Sequence, residues 1–396
     1  MKILIHTAAS PYGKSPVGGA ETSLRLLAEK FASLGHTVYF VAKGDARSSK
    51  VVRKDIIKGV NVITFRKFLN PLKLYAIDKW SIAYCNFYLE RILKRENVEI
   101  VHTYYNLSLC EPYLDRLRSG SFQFKLIVRI AGMRWLEQIK SNPELQQQYE
   151  VLFSEADALN FISEGLLTLF RQGLGTLDMP FSPKHYFVKD IGVSLKSITA
   201  TSLTKEQETF NCLMVSRFTD YQKRQDILIN AMALLPQETP IRLKLIGNGP
   251  KMDALNNRIM ELGLKEKVVI QPFMPQQELW SEMAQSDLIC HACEYEGLSK
   301  IIIESMAMAK SVLVSNVLPL NNYIVDGDTG FLVENTPKAW ASKLLGLLQD
   351  KQELIFVGAK AAAFVKSEFD AEKNIKRYVQ EFSELIDLNK TTDSVS

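Results

Sequence analysis

Short apolar runs alternate with segments of helical period, and the alternation occurs twice in the chain. At the start, Lys2–Thr7 reads as a strand and 8–19 as a loop holding Pro11, Gly13, Pro16, Gly18 and Gly19. Glu21–Leu34 carries Leu24, Leu27, Ala28 and Phe31 at helical spacing, Gly35 closes that helix, and Thr37–Ala42 is the next strand. From Cys212 the rhythm resumes, with strands at Cys212–Ser216, Arg242–Ile246, Val268–Ile270, Leu288–His291 and Ser311–Ser315. Helices at Gln225–Leu235, Lys251–Leu262, Gln277–Gln285 and Leu298–Ala309 separate them. A buried strand followed by a helix and another buried strand predicts a parallel sheet covered on both faces. The expected fold class is therefore α/β, with two such sheets. Ligands in sheets of this kind lie outside the carboxyl ends of the strands.

The two series divide the 396 residues into an N-terminal domain over 1–193, a linker over 194–209 and a C-terminal domain over 210–370. The linker is rich in Ser, Thr, Lys and Glu and poor in large apolar residues. A long helical stretch follows Pro337 to about Leu388, and 389–396 is a polar tail. With 46% hydrophobic and 23% charged residues, disordered and fibrous classes are excluded. A net charge of +4 is too weak to predict nucleic acid as a partner. Five cysteines do not make a disulfide framework, and with no secretory leader or spanning run in the sequence the expected compartment is the cytoplasm. The segment 65–80 interleaves Arg66, Lys67, Lys73 and Lys79 with Phe65, Phe68, Leu69, Leu72, Leu74, Tyr75 and Trp80. That composition suits peripheral contact with a membrane face, or a loop and helix packed on their own domain.

Several groups of residues could carry chemistry. Gly18-Gly19-Ala20-Glu21 joins the first strand to its helix, where backbone N–H groups can meet an anion. Gly13-Lys14-Ser15 resembles part of a P-loop, but Ala8 stands where that pattern needs glycine. Arg217 and Lys223 follow the strand Cys212–Ser216, placed to hold a diphosphate, Arg as a fork and Lys as a point charge. Glu296 lies in the loop after Leu288–His291 and Glu304 on the next helix, with Gly297, Leu298 and Ser299 at the helix start. A glycosidase pair of carboxyls would need a sugar ring between them, which a helix start crowded by phosphate would not give. Cys290-His291-Ala292-Cys293 has C-x-x-C spacing without further ligands, and residues i and i+3 of a strand face opposite sides, so it reads as a buried strand end. Asp326-Gly327 reads as a tight turn, and no Asp-x-Asp stands where a metal-dependent site is expected.

Taken in order, these segments resemble the family 4 retaining glycosyltransferases of the GT-B fold. The resemblance rests on Gly18–Glu21, Ile100-Val101-His102-Thr103, Phe161-Ile162-Ser163-Glu164, Val215–Lys223 and Leu245-Ile246-Gly247-Asn248-Gly249-Pro250. It also rests on the E-x7-E run Glu296–Glu304 with Ser305-Met306-Ala307, and on Asp326–Val333. It implies two Rossmann-like domains facing a cleft, with a C-terminal helix, 371–388, returning to the first. The implied reaction is transfer from a UDP- or GDP-linked sugar to a hydroxyl of a saccharide or lipid-linked acceptor, with retention and without a metal or other cofactor. Arg217 and Lys223 would hold the diphosphate and Glu304 the ribose. Glu296, with the backbone of Gly297, Leu298 and Ser299, would hold the sugar. Gly19 would approach the phosphate, Asn248 and Phe273 would line the base pocket, and His102 and Arg129 would lie on the acceptor side.

The sequence departs from the family pattern at Ala131, where a His is usual, and at Ser216, Arg224 and Ala292-Cys293. Ala131 leaves open a nucleotide-sugar binder without catalysis. A sugar-nucleotide epimerase of the same fold is the other alternative.

Overall fold

The computed structural model describes residues 1–13, 18–44, 51–65, 75–140, 142–198, 208–219 and 222–392, without the side chains of 75–82, 197 and 388–392. Lys14 and Ser15, most of the segment 65–80, most of the linker, and the end of the tail lie outside the described residues.

The chain packs as two units, Gly192–Asp370 and Met1–Ile191 joined by the helix that starts at Ala371. The first sheet comprises β1 (Lys2–Thr7), β2 (Thr37–Lys43), β3 (Val52–Ile57), β4 (Val60–Phe65), β5 (Ile100–Tyr104), β6 (Lys125–Ile130), β7 (Ala158–Phe161) and β8 (Tyr186–Val188). Their order is β3-β4-β2-β1-β5-β6-β7-β8. All pairings are parallel except β3 with β4, which run antiparallel. That hairpin was absent from the sequence reading. Its turn is Lys58-Gly59, with φ of 50° and 79° at the two residues, the left-handed pair that a two-residue hairpin requires. β3 closes the sheet edge with Arg53 and Lys54 exposed.

The second sheet comprises β9 (Phe210–Val215), β10 (Ile241–Ile246), β11 (Val268–Gln271), β12 (Leu288–His291), β13 (Val312–Ser315) and β14 (Phe331–Val333). It is parallel throughout, in the order β11-β10-β9-β12-β13-β14. Alternation along β9 shows why it reads as one apolar run. Phe210, Cys212 and Met214 enter one core, and Leu213 and Val215 enter the core on the opposite face. Cys290 on β12 and Cys293, two residues past its end, divide between the same two cores.

The stretch expected to be helical after Pro337 is three helices, Pro337–Gln349, Lys351–Glu368 and Ala371–Thr392. Asp350 breaks the first from the second by capping it, its carboxylate accepting from the Glu353 N–H at 2.8 Å. The third returns to the first unit. Its Ala371, Ile375, Tyr378, Phe382 and Leu385 form one buried stripe, and Phe382 stacks on Phe31 with ring centroids 5.1 Å apart. No helix among the described residues is long and apolar enough to cross a membrane.

Candidate functional site

The carboxyl ends of β9, β10 and β12 carry most of the residues singled out in the second unit. After β9 the chain turns sharply beside the loop that follows β10. A Cβ on Gly247 would lie 1.9 Å from the Ser216 carbonyl oxygen, and one on Gly249 would lie 2.2 Å from that of Phe218. Both positions therefore need glycine, and this is the physical content of Gly247-Asn248-Gly249. Between them Asn248 is exposed, and its side-chain oxygen accepts from the Phe273 N–H at 3.4 Å. The Phe273 ring is 49% exposed beside it.

Gln225, buried at the start of the helix Gln225–Leu234, fixes the next turn. Its Nε2 donates to the Ser216 hydroxyl at 2.8 Å and to the Arg217 carbonyl at 2.9 Å. Arg217 is thereby presented on an exposed corner. Residues 222–224 then lie antiparallel against 292–294. The Arg224 N–H donates to the Ala292 carbonyl at 3.0 Å, and the Glu294 N–H to the Gln222 carbonyl at 2.9 Å. This pairing carries Lys223 onto the loop that follows β12.

Three side chains converge there. Lys223 Nζ pairs with Glu296 Oε2. His291 Nε2 lies 2.9 Å from the same oxygen and 3.0 Å from Lys223 Nζ. The Gly297 N–H donates to Glu296 Oε1 at 3.0 Å. Burial opposes ionisation of Glu296, but the adjacent Lys223 charge and the His291 contact outweigh it and hold the carboxyl well below its ordinary value. Burial and the Lys223 charge together lower the pKa of His291, so its ring is neutral near neutral pH. The side chains of Lys223 and Glu296 remain 11% and 14% exposed. Solvent can therefore reach the pair.

Glu304 is the second carboxylate. It lies on the helix Lys300–Ala307, behind Leu298 and Ser299 at the helix start, and accepts at Oε2 from Gln276 Nε2 (2.9 Å) and Trp280 Nε1 (3.0 Å). Burial raises its pKa, with the Lys300 charge and these two donors acting against it. The E-x7-E spacing thus delivers one carboxylate to the loop and one to the helix, in different environments.

Gly19 is exposed at the first residue of the helix Gly19–Ser33, behind Gly18. His102 and Arg129 are placed otherwise than expected. Both are internal to the first unit, and burial corrects the idea that they face an acceptor. Arg129 donates to Asp190 at 2.6 Å, to the Tyr378 hydroxyl at 2.8 Å and to Asn160 at 3.1 Å. The imidazole of His102 packs edge-on to Phe382. Burial and the Arg129 charge hold it neutral. The sequence reading also missed His291, Gln225, Gln276 and Trp280. His291 had one available signal, a polar residue at the carboxyl end of an otherwise apolar parallel strand.

Two family models match the chain. One, Glycosyl transferases group 1, covers residues 199–366, and the other, Glycosyltransferase Family 4, covers 17–130. N-acetyl-alpha-D-glucosaminyl L-malate synthase of Bacillus anthracis is 24% identical over 394 residues, 96% of each chain. D-inositol 3-phosphate glycosyltransferase of Thermobispora bispora is 24% identical over 391 residues, 91% of this chain and 88% of its own. Among solved structures, sucrose-phosphate synthase from Thermosynechococcus elongatus superposes with a TM-score of 0.82 at 18% identity, over 98% and 99% of the two chains. Anabaena HepE in complex with UDP and glucose superposes with a TM-score of 0.70 at 17% identity, over 97% and 100%.

Proposed function

Since the chain belongs to the family 4, group 1 glycosyltransferases of the GT-B fold, we propose that it moves a sugar from a nucleoside-diphosphate sugar to an acceptor hydroxyl with retention of configuration. The observation that carries this reading is the convergence of Lys223, Glu296 and the start of the helix Lys300–Ala307 at the carboxyl end of one parallel sheet. Bond breaking places charge on the leaving diphosphate. Lys223, Arg217 and the helix start supply fixed positive potential where that charge develops. In a same-face displacement the departing diphosphate oxygen takes the acceptor proton, so no protein base is required. Glu296 accepts hydrogen bonds from the sugar hydroxyls, and Glu304 accepts from the ribose.

Uridine donors are the first to test, because the HepE neighbour holds UDP and glucose. A saccharide or lipid-linked acceptor is proposed, reached at the membrane face if 65–80 lies against lipid. The rival reading, a binder without transfer, rests on Ala131, which follows β6.

A thermal-shift panel of nucleoside diphosphates and their sugars finds the base, since a ligand at ~100 times its dissociation constant adds ~2.7 kcal/mol. Product analysis then separates the readings: a transferase makes a glycoside, an epimerase a new sugar nucleotide, and a binder neither. Glu304→Ala is expected to weaken diphosphate and complete donor alike, by about 1.5–3 kcal/mol. Glu296→Ala is expected to spare the diphosphate and lower turnover, because its contacts are to the part of the donor that moves. Equal small effects of both substitutions on titration and rate would overturn these roles. Two cations and a helix start cover the leaving group, so excess chelator is expected to leave the rate nearly unchanged. A rate that collapses and returns with Mg²⁺ would mean a metal completes the site.

A further inference from the structure

The proposed function leaves one buried side chain of the donor site without a role. His291 closes β12 with its Nε2 against both Lys223 and Glu296, while its Nδ1 is buried without a hydrogen-bonding partner among the described residues. A neutral imidazole carries one proton, and its position follows from the surroundings. With the proton on Nδ1, Lys223 Nζ could donate to Nε2, but a buried N–H would be left unpaired and Glu296 would face a lone pair, while Lys223 already has Glu296 as its partner. With the proton on Nε2, the N–H donates to Glu296 Oε2 and the unpaired group is a lone pair. Orphaned buried N–H groups are the rarer and costlier defect. The proton therefore sits on Nε2, and His291 is a donor to Glu296.

This matters because Glu296 Oε2 is shared. Lys223 and His291 both bind that oxygen, and in the proposed reaction Lys223 also has to serve the donor diphosphate. A lysine drawn to the diphosphate leaves its carboxylate partner with less to hold it. Of the two groups on Oε2, the imidazole sits on a strand with its backbone fixed in register opposite Val314 of β13, and Lys223 sits on a flexible stem.

We propose that His291 is a positioning residue for Glu296: its Nε2–H keeps the carboxylate aimed at the sugar while Lys223, still protonated, turns to pair with the diphosphate. The proposal rests on the glycosyl-transfer reading and adds to it a neutral hydrogen-bond donor that remains when the ion pair is exchanged. The imidazole forms and breaks no bond in the reaction, and no proton leaves it.

The test compares His291→Gln with His291→Met. The two side chains are close in size. Glutamine can return an N–H near the position of Nε2, and methionine cannot. Steady-state transfer from the donor found in the thermal-shift panel is measured with nucleoside-diphosphate affinity and thermal stability. His291→Met is expected to lower kcat by ~10–100-fold, the worth of one hydrogen bond to a charged group, with diphosphate affinity within ~3-fold of the parent. His291→Gln is expected to recover most of kcat. If His291→Met keeps the parental kcat, or if His291→Gln loses as much as His291→Met, the proposal is wrong. A fall in kcat matched by an equal loss of diphosphate affinity would likewise overturn it in favour of a packing role. Should His291→Met not fold, His291→Asn, whose amide is too short to reach Glu296, takes its place. Equal rates for the Asn and Gln variants would then refute the proposal. A parent chain that transfers no sugar from any donor defeats the underlying reading as well. A parent that transfers while His291→Met is unaffected defeats the positioning role alone.

Discussion

Two ion pairs among the described residues, Arg129–Asp190 in the first unit and Lys223–Glu296 in the second, have opposite characters. In the first unit Arg129 and Asp190 are 2% and 7% exposed, and the guanidinium is further bound by Asn160 and Tyr378. Tyr378 lies on the returning helix, and its hydroxyl also donates to the Lys189 carbonyl at 2.8 Å. In the second unit Lys223 and Glu296 remain reachable from solvent, and their third partner is a neutral imidazole. Both pairs sit at carboxyl ends of parallel strands, where α/β sheets bind ligands. Position in the fold therefore does not separate an inaccessible pair from an accessible one. Burial and the number of fixed partners do. An arginine whose amino groups are held by several fixed partners in the interior is out of a ligand's reach. A lysine with one anionic partner at the solvent edge can trade that partner for a phosphate.

The sharpest way to break this contrast is to remove each cation. Arg129→Met takes the buried guanidinium from Asp190 and unpins Tyr378, so denaturant unfolding is expected to show a loss of about 3–5 kcal/mol. A stable, active Arg129→Met would return Arg129 to the list of acceptor-side candidates. Lys223→Ala is expected to do the reverse. Glu296 keeps the His291 and Gly297 donors, and the pair is partly exposed, so stability should change by less than about 1 kcal/mol. Transfer should fall by about 10²–10³-fold, the usual effect of deleting one fixed stabiliser of developing negative charge. Parallel unfolding and rate measurements on the two variants decide it, and a Lys223→Ala that unfolds would erase the distinction.

A smaller effect sharpens the comparison through pH. Because the Glu296 carboxyl is held below its ordinary value of 4.5, the folded state releases its proton more readily than the unfolded chain. Its contribution to stability is complete above 4.5 and is lost as pH falls from there towards the depressed folded value. Melting curves taken from neutral pH downward should show a steeper acid loss in the parent than in Glu296→Gln, which has no such proton to gain. Identical acid limbs would show that the pair contributes nothing to folding.

Much of the fold was legible because periodicity is a local property. β12 was placed residue for residue, and β9, β10, β11 and β13 to within one or two residues at each end, since apolar runs bounded by turn residues mark buried strands; the short β14 was given no bounds. The β3–β4 hairpin was missed because its first strand, Val52–Ile57, is an exposed edge with little apolar signal. The breaks at Asp350 and near Phe369 were missed because a capping aspartate is an ordinary surface residue until the chain turns at it. In the site, Arg217, Lys223, Glu296 and Glu304 came from spacing relative to strands. His291 was passed over because it closes an apolar strand and was read as part of a buried strand end.

By itself the sequence determined which segments are strands and helices, which strands are buried on both faces, and that the E-x7-E run sends one carboxylate to a loop and the other to a helix. These follow from residue type and spacing within a turn or two of chain. Tertiary structure alone decided the partners. Lys223 and Glu296 are 73 residues apart and meet because β9 and β12 are neighbours in the sheet and the loops after them pair as short antiparallel segments. Arg129 and Tyr378 are 249 residues apart and meet because the last helix packs back on the first unit. Nothing in the spacing of charges along the chain encodes either encounter. Sheet order and helix return set them, and with them which cation is locked in a core and which keeps some exposure to solvent.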